Sequence, residues 1–160
     1  KPASQQDQLI CTTDLLATVA AIHGDTLPAN AGEDSKSFSH YMKGAQSNDE
    51  ARGPVVHHSD AGIFSIRSGK WKVVFDEKGG TRRVNPKDKP LINPAKIQLF
   101  DLEVDPSETT NLQLQHPEVV KKMHSDLLAL IEAGRSNAGS PQTNEMGKGG
   151  WRQLEDLKRF

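Results

Sequence analysis

Between Ile10 and His23 the apolar residues Leu15, Leu16, Val19, Ala20 and Ile22 recur at helical spacing, so a helix is expected there. Thr12 or Thr13 can cap it, Asp14 places negative charge in its first turn, and Gly24 stops it. Leu27-Pro28 then changes the chain direction, and Ala29 to Pro54 is polar and loop-like, punctuated by Gly32, Gly44, Gly53 and Pro54. Within that stretch Phe38, Tyr41 and Met42 predict one short helical turn pinned to the core, and Asp49 to Gly53 reads as a solvated turn. The period then changes from helical to alternating. Val55 to Ser59, Gly62 to Arg67 and Lys70 to Asp76 read as strands, the last two joined at Ser68-Gly69 as a hairpin. Trp71, Val73 and Phe75 point one way and Lys70, Lys72 and Val74 the other, which makes Trp71 a core residue. Glu77 to Pro94 is a long excursion rich in Gly, Lys, Arg and Pro, and Lys96 to Leu102 returns as a fourth strand. His116-Pro117-Glu118 opens the longest helix, with Pro at the position where its missing N–H costs nothing. Its apolar stripe is Val119, Val120, Met123, Leu127, Leu130 and Ile131, and Gly134 ends it. Trp151, Leu154, Leu157 and Phe160 predict a short amphipathic helix at the end of a polar tail.

These elements sum to an α+β fold, a small antiparallel sheet of about four strands with the N-terminal and C-terminal helices packed on one face. Residues 1–135 form the folded part and 136–160 an extended or partly helical tail. With 34% hydrophobic and 26% charged residues, the composition suits a small core carrying long loops. A formal net charge of −1 provides no field for nucleic acid or an acidic membrane surface. No apolar run is long enough to span a bilayer, and the polar first eight residues are not a signal peptide. The single cysteine, Cys11, excludes an intramolecular disulfide and reads as a small apolar residue at a helix entry.

Residues Leu99 to Leu112 read LFDLEVDPSETTNL, a strand, a tight turn and the lead-in to a helix. The pattern LFDL-x-x-DP-x-E-x-x-NL resembles a signature near the C-terminus of the sulfatase family, in the alkaline phosphatase superfamily. Other segments resemble that family in the same order. Asp14 to Gly24 is similar to its D-L-x-x-T-x-x-x-x-x-G helix, and Gly32-Glu33-Asp34-Ser35 to the element after it. Val55 to Ser59 with Gly62 to Val73 is similar to its R-x-G-x-W-K hairpin, and the helix after His116-Pro117 completes the set. The likeness spans roughly Ile10 to Arg135 and is nearest to bacterial enzymes of the arylsulfatase and N-acetylgalactosamine-6-sulfatase kind. It implies the C-terminal subdomain of a longer, secreted or periplasmic enzyme that hydrolyses sulfate esters of a sugar or aryl alcohol. It also implies the N-terminal catalytic domain of the same polypeptide as partner, with calcium and a formylglycine nucleophile in the full-length protein and no cofactor in this chain.

The chemistry of such an enzyme is not found in these residues. Formylglycine arises from Cys or Ser in C/S-x-P/A-x-R, and the surroundings of Cys11, Ser59 and Ser136 do not match it. No catalytic or metal residue is assigned. His57 and His58 are adjacent and so point to opposite faces of a strand, and a zinc site would need His23, His40, His116 or His124 to converge. As the family's C-terminal loops reach the rim of the active-site cleft, His57 and His58 are candidate substrate-binding residues, donating to a sulfate or sugar hydroxyl; otherwise one packs and the other is solvated. Glu33-Asp34-Ser35 reads as a turn or cap. Lys70, Lys72, Lys78, Arg82 and Arg83 offer charge to a sulfated polysaccharide or form a solvated face interleaved with Asp76, Glu77 and Asp88. Asp105 is turn chemistry, and Glu108 caps or hydrogen-bonds backbone locally, so they are not an acid–base pair. Two rival readings are a stand-alone binding module for sulfated glycans and the tail of a phosphonate or phosphate ester hydrolase. Apolar surface left exposed could be covered by a homodimer.

Overall fold

The computed structural model describes residues 5–44, 52–76, 96–145 and 150–158. The excursion expected at Glu77 to Pro94 lies outside them, as do Lys78, Arg82, Arg83 and Phe160. The fold is α+β. Four strands, β1 (Val55–His58), β2 (Phe64–Ser68), β3 (Trp71–Val74) and β4 (Gln98–Asp101), form an antiparallel sheet in sequence order. Four helices accompany them: α1 (Leu15–His23), led by a 3₁₀ turn at Thr12–Asp14, α2 (Ser39–Met42), α3 (Pro117–Ala133) and α4 (Arg152–Leu157). The chain divides into two compact units, one made of residues 1–53 and 129–144, the other of 54–128 and 145–160.

The sheet belongs to the second unit. Alternation fixes its register: His57 faces Ser65, Arg67 faces Lys72, and Lys72 faces Phe100. Ser68 pairs with Trp71, so the hairpin turns on Gly69 and Lys70, one residue later than the composition suggests; Gly69 supplies a φ of +55°. Ile66, Val73 and Leu99 are fully buried at the centre. The N-terminal part of α3 lies on this sheet face. His116 meets Trp71 at 5.0 Å between ring centroids, and His124 meets Phe75 at 5.4 Å. Met123 and Leu127, one turn apart, are the buried members of its stripe. His124 Nε2 also donates to the Leu157 carbonyl at 2.8 Å, tying α4 down with Leu157 buried.

In the first unit α1 ends as expected, with Gly24 left-handed at φ +80° and the Asp25 N–H on the Ala20 carbonyl at 2.9 Å. Its start differs: neither threonine caps it, and the Asp14 carboxylate reaches back to the Cys11 N–H at 2.8 Å. Ser35 meets the cap expectation from a distance, its Oγ accepting the Ala17 N–H at 2.8 Å. Tyr41 is the buried residue of α2, whereas Met42 is exposed.

Candidate functional site

Unit 1 is organised round a buried polar centre. The Asp14 carboxylate takes Arg52 Nε at 2.6 Å and a second Arg52 nitrogen at 2.7 Å, together with the Lys36 and Cys11 N–H groups at 3.0 and 2.8 Å. Burial alone would push its carboxyl up, but the Arg52 guanidinium and the two backbone donors outweigh that and hold it below the ordinary range. Arg52 was expected in a solvated turn; its side chain is only 7% exposed because the Asp14 pair draws it in. Beside the pair lies a cavity of about 370 Å³ lined by Lys36, His40, Tyr41, Arg52 and Asn137. Asp14 and Arg52 spend their charge on each other at its wall, and Lys36 Nζ donates to the Arg52 carbonyl at 2.6 Å.

A second knot closes the unit. Arg135 is buried and donates to the carbonyls of Ala29, Asn137 and Ser140 and to Asn137 Oδ1. Asn137 in turn donates to the Gly32 and Ser35 carbonyls at 2.7 and 3.2 Å. Side chains that look like tail composition thus bind segments about a hundred residues earlier.

On the sheet of unit 2, His57 and His58 face opposite ways, as neighbours on a strand must. His58 packs edge-on to Phe64 at 6.3 Å and donates from Nδ1 to the Ser59 carbonyl at 3.1 Å. His57 shares its face with Arg67 and Lys72. Desolvation first, then Lys72, His58 and Arg67, hold its imidazole below the usual range, against the pull of Glu108. Arg67 was not singled out by composition; the hairpin register, which sets it opposite Lys72 and two residues from His57's partner Ser65, is the signal that finds it. Lys70 and Lys72 are not a bare cationic face, because Asp101 and Glu108 each take one at 2.6 Å. Glu108 therefore serves Lys72 and not the local backbone as expected, from a left-handed φ of +55°.

The LFDLEVDPSETTNL segment has a structural job. Asp101 accepts Lys70 Nζ and the Glu103 N–H; Lys70 foremost holds its carboxyl low. Asp105 accepts the Thr109 and Thr110 N–H groups, each at 2.8 Å, which keep it low as well. Asn111 then works as a short extra strand: its Oδ1 accepts the Leu99 N–H and its Nδ2 donates to the Ile97 carbonyl, both at 3.0 Å. The open edge of β4 is thereby closed.

Among the described residues no three His, Cys, Asp or Glu side chains converge on a point that would hold a metal. Cys11 stands in no formylglycine motif.

No family model matches the chain. Curated relatives do. It is 31% identical over 82% of its length to an N-acetylgalactosamine-6-O-sulfatase of Bacteroides thetaiotaomicron, and 26% identical over 88% to arylsulfatase K of Rattus norvegicus. It spans about a quarter of the length of each, 25% and 24%. Among solved structures, one described as a 6S-sulfatase from a glycosaminoglycan-metabolising locus of Bacteroides thetaiotaomicron aligns with 73% of this chain and 24% of its own. The TM-score there is 0.54, at 26% identity. A 2-O GAG sulfatase aligns with 74% of this chain and 24% of its own at a TM-score of 0.51; at 20% identity that likeness concerns the fold alone. An order of segments carried by turn and edge chemistry, and relatives matched along most of this chain but a quarter of theirs, agree on one assignment: the chain belongs to the sulfatase family, as a C-terminal portion of such a protein.

Proposed function

We propose that the polypeptide of which this chain is a portion hydrolyses sulfate esters of a carbohydrate, and that these residues supply packing and part of the substrate rim. The observation that carries the reading is the 31% identity with an N-acetylgalactosamine-6-O-sulfatase across 82% of the chain. The nucleophile and cation of that reaction, formylglycine and calcium, belong on this reading to the part of the polypeptide outside these residues. Residence outside the cytoplasm, periplasmic or secreted, goes with the same reading.

His57 and His58 are the rim candidates. His57 is the better placed for an anion, because Arg67 and Lys72 lie near it, with Glu108 opposing them. Its lowered pKa leaves it neutral at pH 7, so it would act as a hydrogen-bond donor and not as a cation.

The test is to express the longer polypeptide and measure sulfate release from 4-nitrophenyl sulfate and from 6-sulfated N-acetylgalactosamine. Release from either is expected, with none from the 160-residue chain alone. Turnover of a phosphonate monoester with no release from either sulfate ester would replace the reading with that of a related ester hydrolase. Retention of the 160-residue chain on heparin at elevated salt would favour a glycan-binding module instead.

A further inference from the structure

His58 ends β1, paired with Phe64 at the start of β2, and its ring is held on two sides. Phe64 meets it edge-on with ring centroids 6.3 Å apart, and the Ser59 carbonyl lies 3.1 Å from Nδ1. A carbonyl oxygen only accepts, so the proton of the neutral ring sits on Nδ1 and Nε2 keeps a lone pair. His58 is exposed, and among the described residues nothing donates to that Nε2. The sequence led us to expect a donor here; what the neutral ring turns outward is an acceptor.

The turn that fixes the tautomer is itself braced. The Ser59 N–H donates to the Ile63 carbonyl at 3.0 Å, and the Ser59 carbonyl also takes the Gly62 N–H at 2.9 Å, so both of its lone pairs are used. Ser59 Oγ accepts the Ala61 N–H at 3.2 Å. From α4, Gln153 Nε2 donates to the Ala61 carbonyl at 2.8 Å and packs so closely that a Cβ on Gly62 would lie 2.9 Å from it. Asp60, in the same turn, is exposed, and among the described residues its carboxylate has no partner. The two histidines therefore differ in polarity. His57 shares its sheet face with Arg67 and Lys72, whereas His58 presents a lone pair two residues from an unspent carboxylate.

We infer that His58 selects the substrate: its Nε2 accepts from an unsulfated sugar hydroxyl and turns away a sugar that carries a second sulfate at that hydroxyl. The inference rests on the sulfatase reading of the longer polypeptide and on His58 standing at its rim. A hydroxyl has a proton to donate. A sulfate ester in its place has only acceptor oxygens, which sets lone pair against lone pair and leaves Nε2 unpaired.

The experiment uses the longer polypeptide at pH 8 and compares kcat/KM for 6-sulfated N-acetylgalactosamine with that for its 3,6- and 4,6-disulfated forms. A ratio of two substrates does not depend on how much of a variant is folded. The unsubstituted protein is expected to prefer the monosulfated sugar over one of the disulfated forms by about tenfold or more, the size of one neutral hydrogen bond. His58→Phe, which keeps a ring against Phe64, should abolish that preference. A preference that survives His58→Phe, or its absence from the unsubstituted protein, overturns the proposal while the sulfatase reading stands. No sulfate release from any of these sugars or from 4-nitrophenyl sulfate removes that reading and the proposal with it. Nitrogen-15 NMR of the histidines, with the His58 signals identified by their loss in His58→Phe, reads the tautomer without turnover. A proton on Nδ1 is expected, and a proton on Nε2 alone overturns the proposal.

Discussion

Asp14→Ala would leave a guanidinium whose side chain is 7% exposed without its carboxylate. Breaking a buried pair on one side costs about 3–5 kcal/mol, so the urea midpoint of unit 1 should fall steeply. Asp14→Ala with Arg52→Met should cost less than the sum of the two single changes. The same carboxylate sets an acid limit. Asp14, Asp101 and Asp105 all titrate below the ordinary 3.8, so each binds its proton more weakly folded than unfolded. Their stabilisation is complete above that value and is lost as pH falls through the native ones; urea midpoints that hold level from pH 4 down to pH 2 would contradict this. Two glycines separate backbone strain from crowding. Gly24 has φ +80° with nothing near a Cβ, so Gly24→Ala should cost only the left-handed penalty of about 1–2 kcal/mol. At Gly134, φ +63°, a Cβ would lie 2.1 Å from the Gln142 carbonyl oxygen, and Gly134→Ala should lower the thermal midpoint clearly further. None of these partners was legible beforehand. Arg52 lies in a polar, glycine-flanked stretch 38 residues from Asp14, and local composition carries no information about a partner at that distance.

The strands were legible to within two residues because alternation is a local property, and the hairpin's register follows from its short turn. Helix α3 was legible for a similar reason. Pro117 and Gly134 mark its ends, and its last carbonyls are taken by Gly134, Gln142 and Asn144. Helix α1 shows how far a local period reaches. Its period announces an apolar stripe but not whether that stripe faces the chain's own core, and the bonds of Asp14 to Arg52 and Lys36 and of Thr18 to the Phe38 N–H decide that it does not. The edge of β4 is the place to test an element's reliance on one side chain. Asn111→Leu removes both the acceptor of the Leu99 N–H and the donor to the Ile97 carbonyl, for a cost of about 1–3 kcal/mol. Amide exchange at Leu99 should speed up while that at Val73 changes little. Equal rates at Leu99 in both proteins would show that the edge closes without Asn111.

For the whole protein, the candidate rim was legible only as two adjacent histidines, since it takes the sheet register to set Arg67 and Lys72 beside one of them. In the longer polypeptide, His57→Ala is expected to raise KM by up to about tenfold with kcat kept, the size of one neutral hydrogen bond. Because its pKa lies below 6.5, that contribution should not vary with pH above the ordinary imidazole range, and His58→Ala is the comparison. The division into units bears on a different process, the order in which the chain is made. The sheet is complete once Asp101 has been added, and its edge once Asn111 follows. Unit 1 begins earlier but cannot close until well after the sheet is made, because Ala29, Gly32 and Ser35 wait for Arg135 and Asn137. At bacterial and eukaryotic elongation rates the interval from Gly53 to Asn137 is roughly 4–17 s. Through that time a nascent chain carries an unfinished first unit, with the leucines of α1 open to chaperones, while the sheet of the second is laid down behind it.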